Sequence, residues 1–326
     1  MIAIVIQAMH RVGKRALTHP ALVSLAVASF LALTLFAVPF PVVVFSTGLL
    51  GWVLSGRIPA LPAIKGHSAA DRPTPLISDD ALHHDLASKR RSITLIAVGL
   101  ALWFAPVLAA ELLIDSTDVF VDHGLFFSGA AVVTFGGAYA VLAYVAQQAV
   151  HVYGWLAPCE MVRRLALTET TPGPLIMVVQ FVAFVGAYRN PGNLDPWVAA
   201  VLASILVTWV TFVPCFLFVL LGAPYVERLR NNHHLTAALT GITAAVVGVI
   251  ANLAVFFALH NLFGETRHHE AGPVRLDLPV LSSWNPTGFA LTAVALALIF
   301  KRGWTPLGTL GACPLLGIVA FALGGV

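Results

Sequence analysis

Apolar residues in this chain gather in blocks too long for a strand and too evenly apolar for the one-faced helix of a soluble domain. A helix that spans a bilayer needs about 17–25 mostly apolar residues. Blocks approaching that length fall at roughly 21–37, 41–55, 93–113, 125–150, 174–188, 197–221, 236–263, 285–300 and 305–323. Pro39 and Pro41 split the first long apolar stretch into a hairpin, because proline lacks the amide that helix continuation needs. The blocks 41–55 and 174–188 are short enough to be half-helices or tilted fragments. Residues 1–8 are apolar but precede Arg11, Lys14 and Arg15, the reverse of a signal peptide, so this segment is expected to remain as a helix with a basic end. Residues 56–92, rich in Pro, Ser, His and charge, interrupt the pattern and predict a cytoplasmic linker between two membrane units.

Composition sharpens that picture. The 326 residues are 59% hydrophobic and only 10% charged, against about 25% charged in soluble domains. So little charge cannot coat a globule of this size with polar surface. The sequence predicts an all-α polytopic membrane protein with about nine helical membrane segments, several of them broken. A net charge of +3 is too small to point to nucleic acid. Cys159, Cys215 and Cys313 lie far apart and fit neither a disulfide framework nor a zinc site.

Positive charge sets the orientation. With the N-terminus in the cytoplasm, all of the 18 Lys and Arg except Arg189, Arg267 and Arg275 fall in inside segments. The loop 114–124 carries Asp115, Asp118 and Asp122 and no Lys or Arg. The expected topology in the plasma (inner) membrane is therefore nine crossings, N-terminus cytoplasmic and C-terminus outside.

An internal repeat is also visible. Leu49-Leu50-Gly51 and Leu315-Leu316-Gly317 each follow a proline-broken apolar block, 266 residues apart. The first hairpin has its tip outside, whereas Lys301 and Arg302 put the second tip inside, so the copies are inverted. Inverted repeats are a transporter signature, with substrate held near the midplane on broken helices. The chain divides into a partial first repeat (1–55), the linker (56–92) and a complete membrane domain (93–326).

Two segments depart from generic membrane helix. In Thr134-Phe135-Gly136-Gly137-Ala138-Tyr139, the paired glycines cost about 1 kcal/mol each relative to alanine. They serve either a helix break or close helix packing. In Pro158–Pro174, Glu160 and Arg164 stand one helical turn apart and predict a local ion pair. Thr171 followed by Pro172 predicts an N-cap with proline at N1. The free amides of that helix start, flanked by Gly173 and Pro174, would offer an anion site. Glu169, three residues before Pro172, is a candidate proton carrier or a solvated interfacial glutamate. Arg163 is the nearest candidate cation, and it either lines the site or marks the cytoplasmic face.

The run TFGGAYAVLAYV, then LALTETTPGPLIMVVQFVAFVGAY, PYVERLR and LTGITAAVVGVIANL, resembles the chromate ion transporter family. The likeness covers about 93–263, and more loosely 10–55 and 285–323. It implies export of chromate, with sulfate as the close analogue, and chromate resistance. Carried over by motif, the site residues are Thr134, Gly136, Gly137 and Tyr139 of the first element, and Glu169, Thr171, Pro172, Gly173 and Pro174 of the second. Family members are commonly two homologous halves of opposite orientation. This chain is expected to lack most of the first, which leaves open that Met1 is a late start.

The alternatives are transport of sulfate or another oxyanion, and a truncated, non-transporting remnant that needs a homodimer or a partner half. The pairs His83-His84, His233-His234 and His268-His269 are read as solvated loop histidines, and Asn252 as an interhelical hydrogen bond rather than a ligand. No nucleophile–base pair, Walker motif or dinucleotide loop is present, so neither an enzyme nor a bound cofactor is expected.

Overall fold

A computed structural model of the protein describes residues 2–55, 89–114, 118–133, 138–157, 160–161, 177–222, 232–272 and 274–322. The helices in chain order are α1 (Ile2–Ala16), α2 (Pro20–Phe36), α3 (Phe40–Leu54), α4 (Lys89–Leu113), α5 (Asp118–Val133) and α6 (Ala138–Gln147). A π-helical turn, Gln148–Val152, extends α6. Then come α7 (Met177–Arg189), α8 (Pro196–Gly222), α9 (His233–Leu262), the hairpin β1 (Thr266–Ala271) and β2 (Val274–Pro279), α10 (Pro286–Arg302) and α11 (Pro306–Ala322).

Arg90–Leu113, Pro196–Gly222 and His233–Leu262 are long and apolar enough to cross a bilayer, and several shorter apolar helices accompany them. Leu108, Leu112, Phe216 and Val219 are exposed on such helices. In a membrane protein, surface of this kind faces lipid.

One reading of the sequence is corrected. Within the block 125–150, α5 covers residues up to Val133 and α6 those from Ala138, and residues 134–137 lie outside the described residues. The supposed loop after α9 is a β-hairpin in which His268 faces Asp277 and Glu270 faces Arg275 in register. Its signal was present in the alternation Val274, Leu276, Leu278 against Arg275 and Asp277. Gly272 turns the chain at φ +63°. His268 and His269 thus lie on a strand and His233 and His234 begin a helix, while His83 and His84 fall outside the described residues.

The chain forms two compact units: Met1–Ser46 with Thr134–Val178 and Ile242–Val326, and Thr47–Val133 with Val179–Gly241. In the first, α1 packs on α10 through Ala3, Ile4, Ala295 and Ile299. The C-terminal part of α9 packs on α2 at very short range. A Cβ at Gly248 would strike the Ala26 carbonyl and come within 2.8 Å of the Phe30 amide nitrogen. One turn further on, the Thr34 hydroxyl donates to Asn252 Oδ1 at 3.0 Å, the interhelical bond expected of that asparagine. These helices run in the same direction, since residue numbers rise together along the seam.

In the second unit, α4, α5 and α8 pack together. Trp103 Nε1 donates to Ser128 Oγ at 3.0 Å, and Trp209 Nε1 donates to the Leu102 carbonyl at 2.7 Å. Here the C-terminal part of α3 meets the N-terminal part of α9. A Cβ at Gly51 would lie 2.5 Å from the Ala237 carbonyl, and one at Gly241 would lie 2.7 Å from that of Thr47. Ser55 Oγ and His234 Nδ1 are 2.6 Å apart. Pairing Thr47 with Gly241 and Gly51 with Ala237 makes α3 and α9 antiparallel.

The repeat read from three residues extends across a whole hairpin. The helices α2 and α10 are each 17 residues, with proline in the first turn. Each begins at an extended N-cap whose side chain accepts a backbone amide, His19 from Ala21 and Asn285 from Gly288. Each ends at a left-handed residue, Ala37 (φ 47°) or Gly303 (φ 66°), whose amide donates back to Ala32 or Leu298. The amides of Val38 and Trp304 donate to the same two carbonyls, both at 3.1 Å, closing a Schellman-type cap. Every one of these pairs except the donors to the N-caps is separated by the same 266 residues, as are the starts of α3 and α11 at Phe40 and Pro306.

Candidate functional site

The helices around the two glycine–proline elements are well defined, while the elements themselves lie largely outside the described residues. Thr134, Gly136, Gly137, Arg163, Glu169, Thr171, Pro172, Gly173 and Pro174 all fall there. Tyr139 stands in the first turn of α6, with its side chain outside the description. The candidate oxyanion residues therefore rest on sequence, and their frame rests on structure.

On the approach to the first element, Phe126, Phe127 and Ser128 are buried in α5, Ser128 holding the Trp103 indole. Among the described residues nothing lies within 4 Å of a Cβ placed at Gly129. Beyond the element, Tyr144 of α6 packs on Phe40 with ring centroids 5.5 Å apart. The π turn follows, closed by the Tyr153 amide donating to the Gln148 carbonyl at 3.0 Å. Such turns recur at functional sites because they widen the helix and re-aim its side chains.

At the start of the second element, the Glu160 carboxylate accepts from the Ala157 amide at 3.0 Å. The Glu160 and Met161 amides in turn donate to the Ala157 carbonyl, both at 3.0 Å. The carboxylate thus makes the glutamate's half of a capping box, while Ala157 has no polar side chain to return the other half. Its sequence signal is the glutamate three residues after Ala157 and two after Pro158. Arg164, the ion-pair partner expected for Glu160, lies outside the described residues. After the element the chain re-emerges in α7 at Met177.

One titratable residue was passed over in the sequence. His123 of α5 is fully buried, stacks on Phe127 and directs Nδ1 at the Val119 carbonyl. Its signal was a histidine inside the run Val119–Val133, which the 125–150 boundary left out. Among the described residues, no three His, Cys, Asp or Glu side chains come together as a metal site, and Cys215 and Cys313 are free thiols.

Long apolar helices with lipid-facing surface define a multi-pass membrane protein. The chain belongs to the chromate transporter family, whose model matches residues 121–323, a stretch that contains both glycine–proline elements. The family is described as one of transporters. It is 28% identical to a chromate transport protein of Cupriavidus metallidurans over 220 residues, 67% of this chain and 47% of that protein. It is 32% identical to a chromate transport protein of Pseudomonas aeruginosa over 174 residues, 51% of this chain and 38% of the relative. A match at 26% identity over 128 residues joins it to an uncharacterized transporter of Methanocaldococcus jannaschii, covering 39% of this chain and 29% of that one. The chain spans less than half the length of each of these relatives. No solved structure matches it.

Proposed function

We propose that this protein carries chromate, or an oxyanion of the same charge and shape such as sulfate, outward across the plasma (inner) membrane and so confers chromate resistance. The observation that carries the reading is the family match across residues 121–323, which takes in both glycine–proline elements. Chromate is a tetrahedral dianion, and its site needs oriented amides, hydroxyls and a compensating positive charge. The Thr171–Pro174 helix start supplies amides in this reading. Thr134 and Tyr139 supply hydroxyls, Gly136 and Gly137 allow close backbone approach, and Arg163 supplies the charge.

Direction follows from the membrane potential. Moving one charge is worth about 2.3 kcal/mol per 100 mV, so a dianion leaving a negative interior gains about 4.6 kcal/mol. Export needs no further energy source, and Glu169 acts as an auxiliary proton coupler. In this reading 93–326 is the transporting domain, 1–55 a partial inverted repeat and 56–92 the cytoplasmic linker, with the N-terminus inside and the C-terminus outside. A second reading is favoured by the coverage of the relatives, less than half of each: the chain works with a partner half or as a homodimer.

Chromate accumulation in sensitive cells tests the proposal. Cells with the intact chain are expected to accumulate less than cells expressing the double variant Gly173→Leu, Pro174→Leu at equal membrane abundance. Equal accumulation in the two would overturn export by this chain alone. Retention of full pH dependence by Glu169→Gln would remove the proton-coupling role.

A further inference from the structure

The return of the chain from α9 to α10 is pinned to the end of a membrane-crossing helix. The Asn285 amide donates to the Leu262 carbonyl at 2.8 Å, and the Gly264 amide donates to that of Ser283 at 2.8 Å. Phe263 and Trp284 form an antiparallel bridge at the same level. Because α9 is the span His233–Leu262, Trp284 stands at the depth where that span ends. The strand β2 packs against α2, which holds the hairpin to the helices rather than leaving it free in solvent.

Side chains at this level are apolar and exposed. Trp284 is 58% exposed and Leu281 76%. Trp284 packs on Phe289 of α10 with ring centroids 6.0 Å apart, and Phe289 and Val294 carry the exposed apolar surface on along that helix. The patch is therefore continuous with surface that faces lipid.

The hairpin register adds a second feature. Arg267 pairs with Leu278 and His269 with Leu276, so one set of ladder positions combines basic residues with leucines. Arg267, His269 and Leu278 are all exposed. The acidic residues of the ladder, Glu270 and Asp277, fall in the alternate set together with Arg275, and Glu265 precedes the ladder. Exposed apolar residues interleaved with basic ones suit a bilayer surface, with the apolar groups in the boundary and the cation at phosphate. Tryptophan favours the same depth.

We propose that the segment from β1 to the start of α10 lies on the bilayer surface, with Leu278, Leu281 and Trp284 in the headgroup–acyl boundary and Arg267 against lipid phosphate. This inference needs only the membrane class of the protein and is independent of the substrate.

The test is depth-dependent fluorescence quenching of the purified full-length chain reconstituted in phosphatidylcholine vesicles. The protein has seven tryptophans, so the emission of Trp284 is read as the difference between wild type and Trp284→Phe. That difference is expected to be quenched by lipid brominated near the glycerol end of its chains. Lipid brominated near the methyl end should quench it less, and aqueous iodide least. Quenching by iodide alone would put the segment in water, and quenching by none of the three would put it under protein such as a second copy. Either result overturns the inference. Should Trp284→Phe fail to fold, Trp284→Tyr supplies the same difference. Leu281→Glu is expected to lower the quenching by shallow bromines and raise that by iodide; unchanged quenching would overturn a joint anchor. Arg267→Glu should weaken shallow quenching more in vesicles containing phosphatidylglycerol than in phosphatidylcholine alone, and an equal change in the two would overturn the phosphate contact.

Discussion

The two copies of the hairpin share the length and caps of their first helix and a three-residue word, yet they are held in different ways. In the first copy, α2 and α3 meet α9 backbone to backbone. The face Ala237, Gly241, Ala244, Gly248 and Asn252 recurs every three or four residues, and its two glycines sit where a Cβ would strike a carbonyl. In the second copy, α10 and α11 meet α1 through side chains: Ala295 and Ile299 against Ala3 and Ile4, and Phe300 edge-on to His10. Thr34 and Phe300 occupy equivalent places 266 residues apart, one bonded to Asn252 and the other touching His10. A Cβ at Gly51 would lie 2.5 Å from the Ala237 carbonyl, whereas one at the equivalent Gly317 would meet, among the described residues, Leu291 Cδ1 at 4.0 Å. Among those residues the same Leu-Leu-Gly word therefore sits against backbone in one place and against a side chain in the other. Membrane helices gain little from burying apolar surface away from equally apolar lipid, so close backbone approach is what holds the first seam.

Filling the seam gives the largest expected effect. Gly248→Val forces α2 and α9 apart and should destabilise by about 3 kcal/mol, the upper range of overpacking. Gly317→Val has room and should stay within about 0.5 kcal/mol. Melting curves of the purified variants, with membrane abundance alongside, decide it. Equal losses at the two positions would mean that the hairpins are held alike.

Which glycine matters could not be read from the chain, because the constraint on Gly248 is set by Ala26 and Phe30, more than two hundred residues away. What a local rule governs was legible. Proline placed the break between α2 and α3, charge and apolarity marked the membrane class, and Asn252 found its interhelical partner. The β-hairpin was missed because the stretch reads as polar loop unless its period of two is counted. As for the candidate site, the sequence supplied its chemistry through residues such as Thr171 and Glu169. The structure adds what adjoins it in the chain, including the Glu160 carboxylate on the Ala157 amide.

The C-caps separate the copies by a smaller margin. Ala37 holds a left-handed conformation, which costs an L-residue roughly 1–2 kcal/mol, while Gly303 holds it without that penalty. Exchanging them should produce opposite signs: Ala37→Gly stabilises by about 1 kcal/mol and Gly303→Ala destabilises by about the same. Melting temperatures moving the same way in both variants would show that the caps are not equivalent.

The N-caps give the smallest effect and the finest comparison. Asn285 accepts from Gly288, the third residue of its helix, at 3.0 Å, and asparagine is among the best N-caps. His19 accepts from Ala21, the second residue, through Nδ1 at 3.2 Å. That bond needs Nδ1 unprotonated, since a protonated ring nitrogen can only donate. Asn285→Ala should therefore cost about 1 kcal/mol, and His19→Ala a few tenths of that order. His19→Asn should recover the stronger cap and stabilise slightly. If His19→Ala and His19→Asn melt at the same temperature, the ring nitrogen is not the cap, and the likeness of the two hairpins at their N-termini is one of backbone alone.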